Sequence, residues 1–512
     1  MTVTTSHLAD AARRAQWRRV DELLNEHFYT YLMTDRAGLL EVLTTLPGDW
    51  FADYPRHRMS KELALASGPM QLLSESVKDE FTAWVRSQDK PAARDRLAVH
   101  ALELRTIVAT GNYHRAASKA DDVHKIVETA TDTGGFYDFL PSVFLRTGQA
   151  KLHVGDLAAA SDSFSRAHRW ANARGVHPAD PFIRSHLALV DALLGHLTLA
   201  EAWLLPLGES AVADEEGYAR QLSAADLLIR ALVSVCGGSE RDARTALDRI
   251  PREGVSNDLW WVGVHAHALY ELQWGEPRRG IARIEQSLRN NRSETAPTLL
   301  AGQLLRADLA SLYQIVDELD AAERVLMTPG LGETQVQVRA ARARQSLLNG
   351  RPAEAAASME QPSPGYGGGG LDPVAALLHA AIEHAESGEA TERAVTRAVD
   401  HVRSSGALYA LQETIDPTRD RIVRRLGMPY SPPRSEYPYR GVISFSLSQR
   451  EQEVLAALAR FDSVAAIAAA LHLSVNTIKT YKRSLYRKLG ARSRAEALAI
   501  ARIVHSPANG LE

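Results

Sequence analysis

Between residues 111 and 355 a glycine, or an aspartate standing in for one, is followed seven times at a distance of five residues by a small residue. The pairs are Gly111/Ala116, Gly155/Ala160, Gly195/Ala200, Gly238/Ala243, Gly275/Gly280, Asp317/Ala322 and Gly350/Ala355, separated by 44, 40, 43, 37, 42 and 33 residues. The fullest copy reads Gly148-x6-Gly155-Asp156-x3-Ala160-x3-Phe164-x2-Ala167. Small residues let two helices approach at a turn, and the large residue four positions later fills the groove beside the next pair. A single helical hairpin cannot bury its own apolar face, but stacked hairpins can. With no β-rich stretch, the expected fold is all-α: an α-solenoid of ~40-residue hairpins followed by a C-terminal four-helix domain. An irregular helical domain is the competing reading, because Gly and Ala are abundant throughout.

The 512 residues exceed what one core can hold, so at least two domains are expected. No run of about 18 apolar residues and no basic-apolar leader is found, which argues against a membrane span or export signal. One cysteine, Cys236, permits no intramolecular disulfide; a reducing cytoplasm is expected, with Cys236 a buried small hydrophobe in Leu232-Val233-Ser234-Val235. Charge divides unevenly. Residues 444–512 carry ten Lys/Arg and five Asp/Glu, a net of +5, leaving −8 for the rest of a chain whose total is −3. The acidic part is therefore not a second nucleic-acid surface.

Two segments punctuate the chain. Residues 361–373, from Gln361-Pro362-Ser363-Pro364 through Gly367 to Gly370, read as a flexible loop; residues 429–445, with Pro429, Pro432, Pro433 and Pro438, read as a stiff, extended linker. The division expected is an arm over 1–428, a linker over 429–445 and a compact domain over 446–508.

The last domain is written in helix caps. Ser448/Glu451 and Ser493/Glu496 have capping-box spacing, Ser463 and Ser474 stand where helices begin, and Leu471-His472-Leu473 forms a turn between the second and third helices. Ile467 and Leu471, then Ile478, Leu485 and Leu489, point inward, and Gly490 offers a left-handed stop. From Ser463 to Ala495 no acidic residue interrupts Lys479, Lys482, Arg483, Arg487, Lys488, Arg492 and Arg494. Long cations neutralise phosphates, and short polar side chains near a helix start, here Asn476, Thr477 and Thr480, reach base edges. A basic run alone is usually a solvated face; at helix-turn-helix spacing it points to duplex DNA. The candidate contact set is Ser474, Asn476, Thr477, Lys479, Thr480, Lys482, Arg483, Arg487 and Lys488.

Leu447-x-x-Arg450-Glu451-x-x-Val454-Leu455, Ile467-Ala468, Leu473-Ser474-x-x-Thr477-Ile478-Lys479 and Lys488-Leu489-Gly490 closely resemble the DNA-binding domain of LuxR-type (NarL/FixJ-like) bacterial transcription regulators. The resemblance implies that the helix from Val475 enters the major groove, with Lys479, Thr480 and Arg483 at bases and Asn476, Thr477, Lys482 and Lys488 mainly at phosphates. It also implies a homodimer on an inverted repeat, contact with RNA polymerase, and activation rather than repression. Phe461 departs from the usual turn glycine, Ala466 from the usual acidic residue and Tyr481 from a frequent histidine. The repeats resemble tetratricopeptide-like arrays, and Leu43-Thr44-Thr45-Leu46-Pro47 with Tyr54-Pro55 looks like the opening of the sensor region in MalT-like regulators. Those usually carry an NTPase module, yet no G-x-x-x-x-G-K-[ST] occurs here.

No G-x-S-x-G or H-E-x-x-H is found, and His265-Ala266-His267 has the wrong spacing for a helical metal pair, so no catalytic residue, metal or cofactor is expected. Trp203, Trp260, Trp261 and Trp274 fall in the middle repeats and are candidates for a small-molecule, peptide or protein effector site on the concave face, although core packing is the commoner fate of such residues. The expectation is a regulator whose arm senses an effector. The alternative is a helical scaffold whose last domain binds protein; a hydrolase assembled on the arm is a third reading that no residue cluster supports.

Overall fold

In a computed structural model the chain is described over residues 5–66, 73–205, 218–250, 258–332, 335–360, 373–414, 416–427, 437, 449–461, 463–488, 493–494 and 497–498. Residues 361–372 of the loop expected over 361–373, the linker apart from Tyr437, and Ser448, Glu496 and Gly490 lie outside them. Described residues form helices and turns, without a strand.

Helical hairpins succeed one another along the arm: Ala93–Ala109 with Tyr113–Glu128, Phe136–His153 with Leu157–Ala171, Asp180–Leu193 with Leu197–Leu204, and Tyr218–Cys236 with Glu240–Asp248. Trp260–Gln273 with Pro277–Asn290, Leu300–Ile315 with Leu319–Leu326, Val336–Leu348 with Pro352–Met359, and Pro373–Ser387 with Glu392–Ser405 continue the series. The repeat read from the sequence marks the turns. Gly111, Gly155, Gly195, Gly238 and Gly350 have φ between +69° and +83°, and Asp317 has +63°. This left-handed geometry is open to glycine and tolerated by aspartate. Gly275 differs: its turn is made by the N–H groups of Trp274 and Gly275 both reaching the Tyr270 carbonyl. The small residues five positions on, Ala116, Ala160, Ala200, Ala243, Ala322 and Ala355, have no exposed surface. An eighth turn, at Gly388 with φ +83°, lacks the small residue and escaped the pattern.

The two helices of a hairpin do different work. Second helices such as Leu157–Ala171 bury one stripe and leave the other face to solvent, whereas Phe136–His153, Leu300–Ile315 and Val336–Leu348 are buried nearly all round. The inner layer consequently holds polar side chains that must pair, since an unpaired buried polar group costs roughly 1–3 kcal/mol. His265 Nδ1 meets Asp308 Oδ2 at 2.6 Å, and Gln149 meets His186 at 3.0 Å. The superhelix winds tightly enough for early turns to touch late helices. Gln335 donates to the Gly155 carbonyl at 2.9 Å, and Gln337 to the Leu193 carbonyl at 2.9 Å.

Among the described residues six further helices, including Thr5–Arg13, Trp17–Thr34 and Arg36–Thr45, precede the hairpins. Trp17–Thr34 kinks at His27, and Asp138 repairs the break: its carboxylate accepts from the Tyr29 and Thr30 N–H groups at 2.7 and 2.9 Å, and from the Thr30 hydroxyl at 2.7 Å. Its apolar core, with Leu24, Phe28, Leu39 and Trp50, is distinct from the core running through the hairpins. The C-terminal helices have a core of their own around Val454, Leu458, Ile467, Ile478 and Leu485.

Candidate nucleic-acid interface

Three helices, Gln449–Arg460, Val464–Ala470 and Val475–Lys488, surround that C-terminal core. Ser463 caps the second, accepting from the Ala466 N–H at 3.1 Å. That helix ends in a left-handed residue, His472 at φ +51°, with the Leu473 N–H returning to the Ala468 carbonyl at 3.0 Å. This closure fixes the angle at which the third helix departs. Ser474 then starts it, accepting from the Thr477 N–H at 3.0 Å while the two hydroxyls lie 2.7 Å apart.

The third helix divides cleanly. Ile478 and Leu485, two turns apart, are buried in the core. Asn476, Lys479, Thr480 and Arg483 are exposed, and their spacing places them on one face. The Thr480 hydroxyl donates to the Asn476 carbonyl at 3.0 Å. Lys482, half-buried, lies with Nζ 5.2 Å from the centre of the Tyr486 ring, so its stem follows the helix. Arg487 and Lys488 belong to the helix by backbone, but their side chains lie outside the described residues.

The capping box expected of Ser448 and Glu451 lies partly outside the described residues, but Glu451 has a second role. Its side chain is buried and accepts from the Ser484 hydroxyl at 2.8 Å, joining the first helix to the basic one. Arg494 donates from Nε to the Leu458 carbonyl at 3.0 Å and fastens the segment beyond that helix. Both contacts were missed from sequence, because a Glu or Arg on a helix gives no sign of which long-range partner it meets. Phe461, at the departure from the usual glycine, is 37% exposed and continues the first helix's bonding through its N–H to Ala457.

The four tryptophans have different surroundings. Trp203 donates to Asp191 at 3.0 Å and packs edge-on against His168, and Trp260 donates to Glu294 at 2.5 Å. Trp261 and Trp274 are buried in the hairpin core. Among the described residues, none of the four lines the cavity beside Arg344 or the one beside Met59. Cys236 is buried, and burial pushes its thiol up to about 12. Among the described residues no group of His, Cys, Asp or Glu is arranged to hold a metal, and no helix is long and apolar enough to cross a membrane.

Residues 445–501 match the family described as bacterial regulatory proteins, luxR family. Two curated relatives, both described as probable transcriptional regulatory protein NarL and belonging to Mycobacterium tuberculosis strains CDC 1551 / Oshkosh and ATCC 25618 / H37Rv, are each 49% identical to this chain over 55 residues. That stretch is 11% of this chain and 26% of the relative, so the chain spans about a quarter of the length of these relatives.

Proposed function

We propose that the chain is a DNA-binding transcription regulator. The Val475–Lys488 helix reads the major groove, Lys479, Thr480 and Arg483 face bases, Asn476, Thr477, Lys482 and Lys488 lie mainly at phosphates, and Ser474 and Arg487 complete the contact set. The observation that carries this reading is the capped helix after the His472 turn, which presents Asn476, Lys479, Thr480 and Arg483 together on an exposed face opposite Ile478 and Leu485. Cations on such a face release counterions from the duplex, while Lys479, Thr480 and Arg483 discriminate base edges. The luxR-family match over the same residues supports it.

The arm, residues 1–428, acts as a tetratricopeptide-like sensor resembling that of MalT-like regulators without an NTPase module. It takes a small-molecule, peptide or protein effector. The linker, residues 429–445, joins it to the domain over 446–508, two copies of which occupy an inverted repeat and engage RNA polymerase. An effector changes output only by binding two arrangements with different affinity.

Genome-wide binding of the purified full chain to sheared DNA from its own source, at near-physiological salt, tests this. Enrichment of a short inverted repeat, lost in the Lys479→Ala/Arg483→Ala variant, is the expected result. If neither the full chain nor residues 440–512 alone enriches a sequence, the domain binds protein and the scaffold reading replaces this one.

A further inference from the structure

The linker contributes one described residue, and that residue is inside the arm. Tyr437 is only 6% exposed and belongs to the hairpin core. Its ring stacks on the guanidinium of Arg344, with Cζ 4.2 Å from the ring centre, and its hydroxyl lies beside Ser311. Arg344 is itself immobilised. It grips Glu413 with two nitrogens at 2.6 to 2.9 Å and donates from the third to Ser311 and to Gln314, each at 2.9 Å. A guanidinium held so firmly is a preorganised platform for an aromatic face. Gln412 lines the same cavity, 6% exposed, with its amide oxygen buried and making no hydrogen bond among the described residues. The site therefore offers a flat cation and a spare acceptor.

We propose that this cavity between Arg344 and Gln412 is a binding site for an aromatic ring carrying a hydrogen-bond donor, and that its resident occupant is Tyr437, which pins the linker to the arm. The pin has a mechanical consequence. Seated, it leaves residues 438–448 before Gln449; withdrawn, it leaves residues 427–448 after Leu426, twice as many. At ~3.3–3.6 Å per extended residue the greatest reach of the C-terminal domain grows from roughly 40 to roughly 80 Å. Tether length sets the effective concentration at which a linked domain meets its target. A free phenol with a further donor for Gln412 competes with Tyr437 and lengthens the tether. The consequence for DNA rests on the function proposed above; the pin does not.

Limited trypsin digestion of the full chain, with mass detection of cuts at Arg434 and Arg440, tests the pin. Tyr437→Ala is expected to be cut at least tenfold faster than the parent, and Tyr437→Phe, which keeps the ring on Arg344, within threefold of it. Calorimetry is expected to detect p-cresol binding to folded Tyr437→Ala. Equal cutting of the parent and Tyr437→Ala would overturn the proposal. Should the alanine variant not fold, nitration of the parent by tetranitromethane decides: a seated Tyr437 resists until the protein unfolds, whereas modification as fast as an exposed tyrosine contradicts the pin. These results do not depend on DNA binding, so failure of the regulator reading leaves them standing.

Discussion

The Phe164 ring lies directly over Gly148, so close that a methyl carbon placed on the glycine would stand 2.3 Å from the ring edge. The two helices of this hairpin, Phe136–His153 and Leu157–Ala171, approach as they do because one side supplies no Cβ and the other a flat ring. Helix propensity alone would favour Gly148→Ala by about 1 kcal/mol. Overpacking at this distance costs about 1–3 kcal/mol. Gly148→Ala is expected to destabilise the arm by about 1 kcal/mol in denaturant titrations. Phe164→Leu in the same chain should recover part of that loss, showing less than additive behaviour.

Turn residues offer a test without collision. A Cβ at Gly111, φ +73°, would meet nothing within 4 Å, so Gly111→Ala isolates backbone strain and should cost about 1 kcal/mol. The reverse change, Asp317→Gly at φ +63°, should stabilise by a few tenths to about 1 kcal/mol. Paired melting curves of the two variants check the opposite signs.

The repeat was legible in the sequence for the reason these variants work. A left-handed turn restricts which residue may stand at Gly111, Gly155 or Asp317, and a close helix crossing restricts Ala116, Ala160 or Ala322, so chemistry leaves a period. The basic helix was legible because caps at Ser463 and Ser474 obey fixed offsets. What gave no signal were contacts across the superhelix. Gln335 meeting Gly155, Glu451 meeting Ser484, and Tyr437 meeting Arg344 depend on how far the superhelix turns or how helices cross. No local pattern encodes those angles.

Arg344 makes three hydrogen bonds to the buried Glu413 carboxylate. Arg344→Leu removes them and should cost about 3–5 kcal/mol, whereas Arg344→Leu with Glu413→Gln should be milder because a neutral amide loses less with the guanidinium than a carboxylate does. Thermal denaturation of the two variants separates the charge-dependent part of the loss from the rest.

Acid should loosen the arm before carboxylates titrate. Burial, aided by the Arg283 charge and opposed by Asp248, lowers the His267 imidazole to about 4. With the folded value below the unfolded one, about 6.5, the unfolded state binds more protons as pH falls. His267 therefore supports the fold fully above pH ~6.5 and progressively less down to pH ~4, by about 2 kcal/mol once partial exposure is allowed for. Burial lowers His57 and His186 as well, and their slopes have the same sign. Denaturant titrations at pH 7 and 5 should show this loss, and His267→Gln should reduce it.

The most direct test of the regulator reading is equilibrium binding of the full chain and its Arg483→Ala variant to two duplexes at one salt concentration, the enriched site and a random sequence. If Arg483 reads a base, the variant loses about 1–3 kcal/mol on the site and far less on random DNA, narrowing the specificity ratio. Equal losses on both duplexes would place Arg483 on a phosphate instead. An unchanged affinity for both would contradict the assignment of the Val475–Lys488 helix to the groove.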